Sequence, residues 1–362
     1  MKDYIGVGYG DDIQKSIEEA TAGLNDSKII FVFAEASKFK EVVGLVGQKY
    51  PSAIVIGTTG YSFANRNIVK DNVVVWAMKS GVEVEAGVLQ SVKTFPIKDI
   101  KPLEDSVKRI DAGNDNTVCM EFCTGSEEKI VSTLSSAISK KNIPLIGGTA
   151  QGADRDGVKC VSLNGEIYND ACVYVLIKNT DGKVKVYSEN IYKVKSENFV
   201  ATKVDVENRR ILELNRKSAA KVYCETLGIT KDEISNYVLT NPLARVIGKE
   251  EFLTAIKLVG ENGDLSCFKR INQNDVLNIL ELIDYKEAIN NTLKRIKDDF
   301  SNISSIFSVN CIYRFMLFES RNFTGEYAQM MSSIGQHIGI IGEGEQYNKQ
   351  HVNQTMVCVV FE

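Results

Sequence analysis

Arg314 sits where an arginine is least expected. It falls inside SVNCIYRFMLFES, residues 308–320, whose length and β-rich composition predict a central strand. A period of two places Asn310, Ile312, Arg314 and Met316 on one face and Cys311, Tyr313, Phe315 and Leu317 on the other. Burying a guanidinium among such residues is costly unless an anion meets it. Two kinds of partner satisfy that need. One is a ligand carboxylate or phosphate gripped by the planar fork; the other is Glu343 or Glu345 in an internal ion pair. Downstream, HIGIIGEGEQ at 337–346 sets glycines, Gly342 among them, beside two glutamates, so the backbone can turn sharply and approach a bound group. The chain then closes with HVNQTMVCVVFE, where Asn353, Gln354 and Thr355 offer amides and a hydroxyl that could orient a small ligand. Turn residues that merely satisfy loop backbone look the same.

A second chemistry is available to the thiols. Cys311 with His337 or His351 supplies the minimum pair for an activated nucleophile. Against it, the chain has only two histidines and lacks a G-x-S-x-G elbow, a Walker A loop and a paired C-x-x-C signature. Cys119 and Cys123 straddle a strand end without matching ligands elsewhere, and a buried structural thiol is the default for each. Gly6, Gly8 and Gly10 follow the first strand, but as G-x-G-x-G rather than the dinucleotide G-x-G-x-x-G. No metal and no cofactor is expected.

The elements that must position these residues begin as alternating strands and helices. Strands are predicted at 4–7, 28–33 and 53–56, with helices over 13–24 and 38–49 between them. Two further strands, 72–78 and 82–89, flank Lys79-Ser80-Gly81 and read as a hairpin, so the sheet is mixed. The order then recurs: a strand over 117–122, a helix over 126–140 with Glu127 and Glu128 in its first turn, and a strand over 143–146. IVIGTTG at 54–60 and PLIGGTAQG at 144–152 share one form, which reads as an internal repeat; chance likeness of α/β segments is the competing reading.

A boundary at 198/199 divides the chain into domains 1–198 and 199–362. Beyond it lie a hairpin around Glu207-Asn208, a helix over 217–227, a strand over 252–259 and a long helix over 285–300. The expected fold class is α/β (α+β): mixed β-sheets flanked by helices, in two domains, layered in an αββα-like manner, with one sheet or two in the first.

Several of these segments together resemble the FIST family, bacterial sensory modules that pair an N-terminal with a C-terminal FIST domain. The residues that carry the resemblance are Arg210 to Leu214 leading into Ala219 to Tyr223, the turn at Asn262-Gly263-Asp264, Cys311-Ile312-Tyr313-Arg314, Gly342-Glu343 and Asn353-Gln354-Thr355. In the first half they are Gly57-Thr58-Thr59-Gly60, Gly147-Gly148-Thr149-Ala150 and Leu163-Asn164-Gly165. The resemblance implies small-molecule sensing, with an amino acid as the suspected ligand. It implies a binding set of Arg314, Glu343, Asn353, Thr355, Cys311 and Gly342, in which Arg314 fixes an anionic group and Glu343 and Asn353 read an ammonium or amide. No output domain is recognisable within these residues, so the signal is expected to pass to a separate signalling protein. An enzyme using Cys311 and a scaffold acting by protein contact stay open as alternatives.

Composition narrows the partners. With 43 basic and 47 acidic residues and a net charge of −4, the chain has no overall basic footprint for nucleic acid. VVVWAM and CVYVLI, the longest apolar runs, are strand length, so no membrane insertion is expected, and the N-terminus carries no secretory pattern. Eight scattered cysteines in a chain of this size point to reduced thiols and the cytoplasm. An oligomer is compatible with all of this.

Overall fold

The computed structural model describes all residues except 65, 114, 153–156 and 249. Its organising feature is one unit of structure used three times. Each unit runs strand, helix, strand, helix, strand, short hairpin, closing strand. In the first unit these are strands Lys2–Gly8, Ile29–Ala34, Ile54–Thr59 and Val73–Ser80, helices Ile13–Ala20 and Ala36–Lys49, and the hairpin Ser62–Ala64/Asn67–Val69. The second has strands Val82–Gln90, Thr117–Cys123, Leu145–Thr149 and Ala171–Asn179, helices Ile100–Arg109 and Glu127–Ile138, and the hairpin Val161–Leu163/Glu166–Tyr168. The third opens with Val184–Glu189, is interrupted by residues 192–282, and resumes with helix Tyr285–Asp299 and strand Ser305–Cys311. Helices Ile312–Ser320 and Thr324–Ser332, strand Gln336–Gly342, the hairpin Glu345–Tyr347/Gln350–Val352 and strand Met356–Phe361 complete it.

Among the described residues each unit builds a six-stranded mixed sheet in the same order, with one parallel pair at its centre. The hairpins are exchanged in a ring. The first unit's hairpin extends Gln336–Gly342, the second's extends Ile54–Thr59, and the third's extends Leu145–Thr149. No unit completes its own sheet, and each exchange covers an edge that would otherwise be open. The central strands are buried on both faces, so they read as continuous apolar runs such as IIFVFA. Their inner faces meet in one core, where Trp76 stacks on Phe31 at 4.8 Å and on Phe307 at 5.2 Å, and Phe122 meets Phe307 edge-on at 5.9 Å. Helices cover the outer faces. The fold class is therefore α+β with mixed sheets between helical layers.

Residues 192–282 form a nine-stranded antiparallel sheet with helix Ala219–Leu227 and a separate core that includes Ile211, Tyr223 and Ile279. The predicted 198/199 division falls inside this segment, between strands Tyr192–Val194 and Phe199–Asp205.

Three local readings change. Val73–Ser80 and Val82–Gln90 do not pair with each other: the first lies between Lys2–Gly8 and Ile29–Ala34, the second beside Ala171–Asn179. Gly81, at φ +78°, carries the chain from one unit to the next. A short turn between two strands looks the same whether they pair or part, because the deciding partners are distant in sequence. Second, the strand predicted over 308–320 ends at Cys311 and continues as helix Ile312–Ser320. Arg314, Leu317 and Phe318 face inward while Met316, Glu319 and Ser320 face out, a helical spacing that so short an apolar run cannot distinguish from alternation. Third, the glycines at 6 and 8 serve packing. A Cβ on Gly8 would lie 1.7 Å from the Ser16 carbonyl oxygen, so the missing side chain lets helix Ile13–Ala20 rest on the first strand. That strand pairs antiparallel, unlike the parallel strand of a dinucleotide fold.

Candidate functional site

In open sheets with parallel strands, ligands collect beyond the carboxyl ends of those strands. In the second unit that place is a cleft of about 400 Å³ above Cys123 and Thr149, beside the start of helix Glu127–Ile138. Three parts of the chain wall it. Glu127 and Lys159 come from the second unit, Glu343 from the third, and Arg209, Lys257 and Phe268 from the inserted sheet. The inserted hairpin turn aims Arg209 across the gap, with its backbone at φ +53°. Its Nη2 donates to Glu127 Oε2 at 2.9 Å and to Glu128 Oε2 at 2.8 Å, and the Arg270 amide donates to Glu128 Oε1 at 3.1 Å, which ties the insert to the second unit. Opposite, Lys159 Nζ lies 2.5 Å from Glu343 Oε2, and the Gly152 amide donates to Glu343 Oε1 at 3.3 Å. Phe268, with Lys257 Nζ 5.8 Å above its ring, supplies an apolar wall.

Below the cleft a buried polar network begins. Thr149 Oγ1 donates to Glu127 Oε1 at 3.1 Å, Gln346 Nε2 donates to Thr149 Oγ1 at 3.3 Å, and His351 Nδ1 lies 3.2 Å from Gln346 Nε2. Burial opposes ionisation of Glu127, but the imidazole of His351 and the guanidinium of Arg209 outweigh it and hold the carboxyl down to about 2. Burial in turn keeps His351 below the usual imidazole range. At neutral pH, then, Arg209 is the cation that keeps Glu127 charged.

The residues singled out from the sequence divide among three environments. Glu343 faces the cleft. Thr355 borders a second, larger hollow of about 860 Å³ on the other side of the hairpin Glu345–Tyr347/Gln350–Val352, together with Ser188, Phe252 and Arg295. The rest are buried behind these surfaces. Arg314 is fully enclosed and pairs with Glu189 rather than Glu343 or Glu345, with its guanidinium 4.7 Å from the Phe318 ring and 5.5 Å from the Tyr327 ring. Glu345 Oε2 accepts from Thr355 Oγ1 at 2.7 Å and from the Thr355 amide at 3.2 Å. Burial pushes the Cys311 thiol well above its usual range, and the hydrogen bonds of both imidazoles go elsewhere, His337 to Ser308 at 2.8 Å and His351 to the Gln346 amide. Asn353 Oδ1 accepts from the Ala255 amide at 3.4 Å, joining the insert to the closing strand. Gly342 ends its strand with its Cα against the Thr149 carbonyl, where a Cβ would come within 3.0 Å. Among the described residues no cluster of three His, Cys, Asp or Glu side chains is placed to hold a metal ion, and no helix is long and apolar enough to cross a membrane.

Comparison with known proteins gives the architecture a family. The FIST N domain matches residues 28–217 and the FIST C domain matches 219–348. The chain belongs to the FIST family. FIST domains are sensory domains of signal-transduction proteins. No curated protein matches the chain in sequence. A crystal structure of a chorismatase aligns over 99% of this chain and 98% of its own, at 8% identity and a TM-score of 0.35, too weak a likeness to carry any argument.

Residues of this FIST protein that the sequence did not mark for binding are Lys159, Arg209 and Phe268. Each lies in a turn or loop whose neighbours across the cleft are distant in the chain, Glu343 for Lys159 and Glu127 for Arg209, so no local spacing points to them. Glu127 carried a signal, as an acidic group in a helix's first turn, but that position normally serves the helix dipole alone.

The buried carboxyls make the FIST fold sensitive to pH. Burial pushes Glu345 and Glu121 from 4.5 up to about 8, against opposing hydrogen bonds from Thr355 in the first case and from Cys172 in the second. Such a group keeps its proton in the folded state while the unfolded chain has lost it. Its contribution to stability is therefore complete below 4.5 and is lost as pH rises to about 8. The histidines act in the opposite sense: burial lowers His337 to about 3, so its contribution grows with pH and is complete by 6.5. Between pH 6.5 and 8 the two carboxyls act together against Lys269 alone, whose buried ammonium is held down to about 8 and whose effect has the opposite sign. Urea denaturation across that interval should show stability falling, by up to about 1.4 kcal/mol per pH unit for each carboxyl, with a flatter profile in Glu345→Gln. A stability that rises there would mean both carboxyls are ionised in the fold, with only the Lys269 effect left.

Proposed function

We propose that this FIST protein is a cytoplasmic sensor that binds a small zwitterionic metabolite, an amino acid in the first instance, in the cleft between Glu343 and Arg209, and passes the signal to a separate protein. The observation that carries this reading is the pairing of opposite charges around one hollow: Glu127 pairs directly with Arg209 and Glu343 with Lys159, and all four side chains line the same cleft of about 400 Å³. A ligand bearing only one sign of charge would displace one partner of the Lys159–Glu343 pair and leave the other unmatched. A zwitterion divides the pair and satisfies both ends, its ammonium on Glu343 and its carboxylate on Lys159, with Phe268 against its side chain. Gly342, Asn353, Thr355 and Cys311 then act as positioning residues for the hairpin and closing strand beneath the cleft, and Arg314 as the anchor of the helix behind them. The eight unpaired thiols fit a reducing compartment.

A thermal-shift panel of amino acids, organic acids and nucleotides tests this. At a hundred times its dissociation constant, a ligand should add about 2.7 kcal/mol of stability. The expected result is a stereospecific amino-acid hit whose affinity falls at least about tenfold in Glu343→Gln, the equivalent of about 1.4 kcal/mol. Binding that survives Glu343→Gln unchanged would move the ligand out of this cleft, and a hit confined to dianions or nucleotides would end the amino-acid reading.

A further inference from the structure

The second unit holds an arrangement that ligand binding does not use. Cys123 and Cys172 lie directly opposite each other on adjacent antiparallel strands. The pair one step along, Thr124 and Ala171, is of the hydrogen-bonded kind, since the Thr124 amide donates to the Ala171 carbonyl at 3.1 Å. Pairs alternate along such a ladder, so Cys123 and Cys172 occupy a site without backbone hydrogen bonds, where Cα atoms approach to about 4.5 Å and side chains lie closest. A disulfide spans Cα separations of roughly 4.4–6.8 Å. The two sulfurs are therefore placed to join without moving the strands, yet in this structure both are free thiols.

Glu121 stands beside them. It lies two residues before Cys123 and so on the same face of its strand. Cys172 Sγ donates to its Oε2 at 3.2 Å, while the Cys123 thiol, on the same face two residues on, lies 3.7 Å from Thr149 Oγ1. Glu121 Oε1 has no hydrogen-bond partner, and none of the ion pairs among the described residues involves it. A carboxyl enclosed between two thiols without a cation is an expensive feature for a sheet interior whose neighbours are Leu89, Leu134 and Leu176.

We propose that Cys123 and Cys172 form a redox-active dithiol that closes to a disulfide on reaction with a peroxide, with Glu121 as the proton relay. In its ionised form, which burial confines to pH near 8 and above, Glu121 takes the thiol proton of Cys172 while the sulfur attacks one peroxide oxygen. The O–O bond breaks, the leaving hydroxide receives that proton as water, and Cys172 is left as a sulfenic acid. Cys123 then loses its proton to the same carboxyl and attacks the Cys172 sulfur. The S–O bond breaks and a second water departs, so that two thiols and one peroxide become one disulfide and two waters. Closure also reaches the cleft. Cys123 Sγ lies 3.7 Å from Thr149 Oγ1, the hydroxyl that donates to Glu127, and drawing the sulfur toward Cys172 removes that neighbour.

The test uses the whole chain. The folded protein is treated with hydrogen peroxide above pH 8, where Glu121 is ionised, unreacted thiols are blocked under denaturing conditions, and the digest is mapped without reduction. The expected product is a single cross-linked peptide joining Cys123 to Cys172, lighter by two hydrogen atoms and reopened by dithiothreitol. It should be absent from both C123S and C172S. In Glu121→Gln the same cross-link should form at least tenfold more slowly. Blocked, unoxidised thiols at both positions after peroxide treatment would overturn the proposal, as would pairing of either cysteine with another of the eight. Closure at an unchanged rate in Glu121→Gln would remove the relay. The map is read on the unsubstituted protein, so a variant that fails to fold leaves the result standing, and none of these outcomes depends on the ligand.

Discussion

Arg314→Ala should lower the unfolding free energy by about 3–5 kcal/mol, the usual cost of removing one partner from a buried ion pair. Glu189 is left behind at 3% exposure, and Arg314 itself is at 0%. One oxygen of Glu189 and two nitrogens of Arg314 have no hydrogen-bond partner, so the pair itself is the main compensation for both charges, aided on the arginine side by the two ring faces. The arginine also fills the space between Phe318 and Tyr327, and truncation opens a cavity against both rings. The double variant Arg314→Met with Glu189→Leu separates charge from volume. It restores apolar bulk and leaves no orphaned charge, so it should recover most of the loss, as apolar replacements of buried ion pairs often do. Urea denaturation of the three proteins measures both effects. An Arg314→Ala protein as stable as the parent, with its ligand affinity abolished, would instead return Arg314 to direct ligand contact, because only a side chain facing a solvent-filled hollow is lost so cheaply.

Phe307→Ala is expected to cost a similar amount, about 3–5 kcal/mol, and to act on the whole molecule. Phe307 belongs to the third unit, yet its ring stacks on Trp76 of the first at 5.2 Å and meets Phe122 of the second at 5.9 Å. Trp76 is the only tryptophan in the chain. Its fluorescence therefore reports on the first unit, while circular dichroism reports on all helices and strands. With hairpins exchanged in a ring and one inner core, the three units should unfold together, and the two signals should shift to lower urea by the same amount. A fluorescence transition that stays in place while the dichroism transition moves would show that the first unit holds its structure without the third.

The binding reading and the redox reading meet at Thr149. Its hydroxyl joins Glu127 at the cleft floor to Cys123 beneath, so the state of the dithiol and the charge arrangement of the cleft share one side chain. A sensor built this way would register a metabolite and an oxidant through neighbouring atoms of the same sheet.

The amino-acid sequence by itself determined the family and most local elements, the helix Ile312–Ser320 excepted. Runs such as IIFVFA and VVVWAM are strands because their β-branched and aromatic residues are buried on both faces, and the helix over residues 285–299 follows from a spacing that needs no distant partner. The glycine-ended strands at 54–60 and 144–152 were visible as two copies of one form. Their third counterpart, Gly339 to Gly342 within HIGIIGEG, aligns only once the strand registers are known. What the tertiary structure alone decided is pairing. Whether Val73–Ser80 joins Val82–Gln90, whether Arg314 meets Glu345 or Glu189, and whether Arg209 reaches Glu127 all turn on contacts between residues far apart in the chain. Strand composition expresses burial and helix spacing expresses a face, but neither encodes which distant surface covers it. Three similar units offer each hairpin three similar edges, and the choice among them rests on the shape of a core that exists only when all three are assembled.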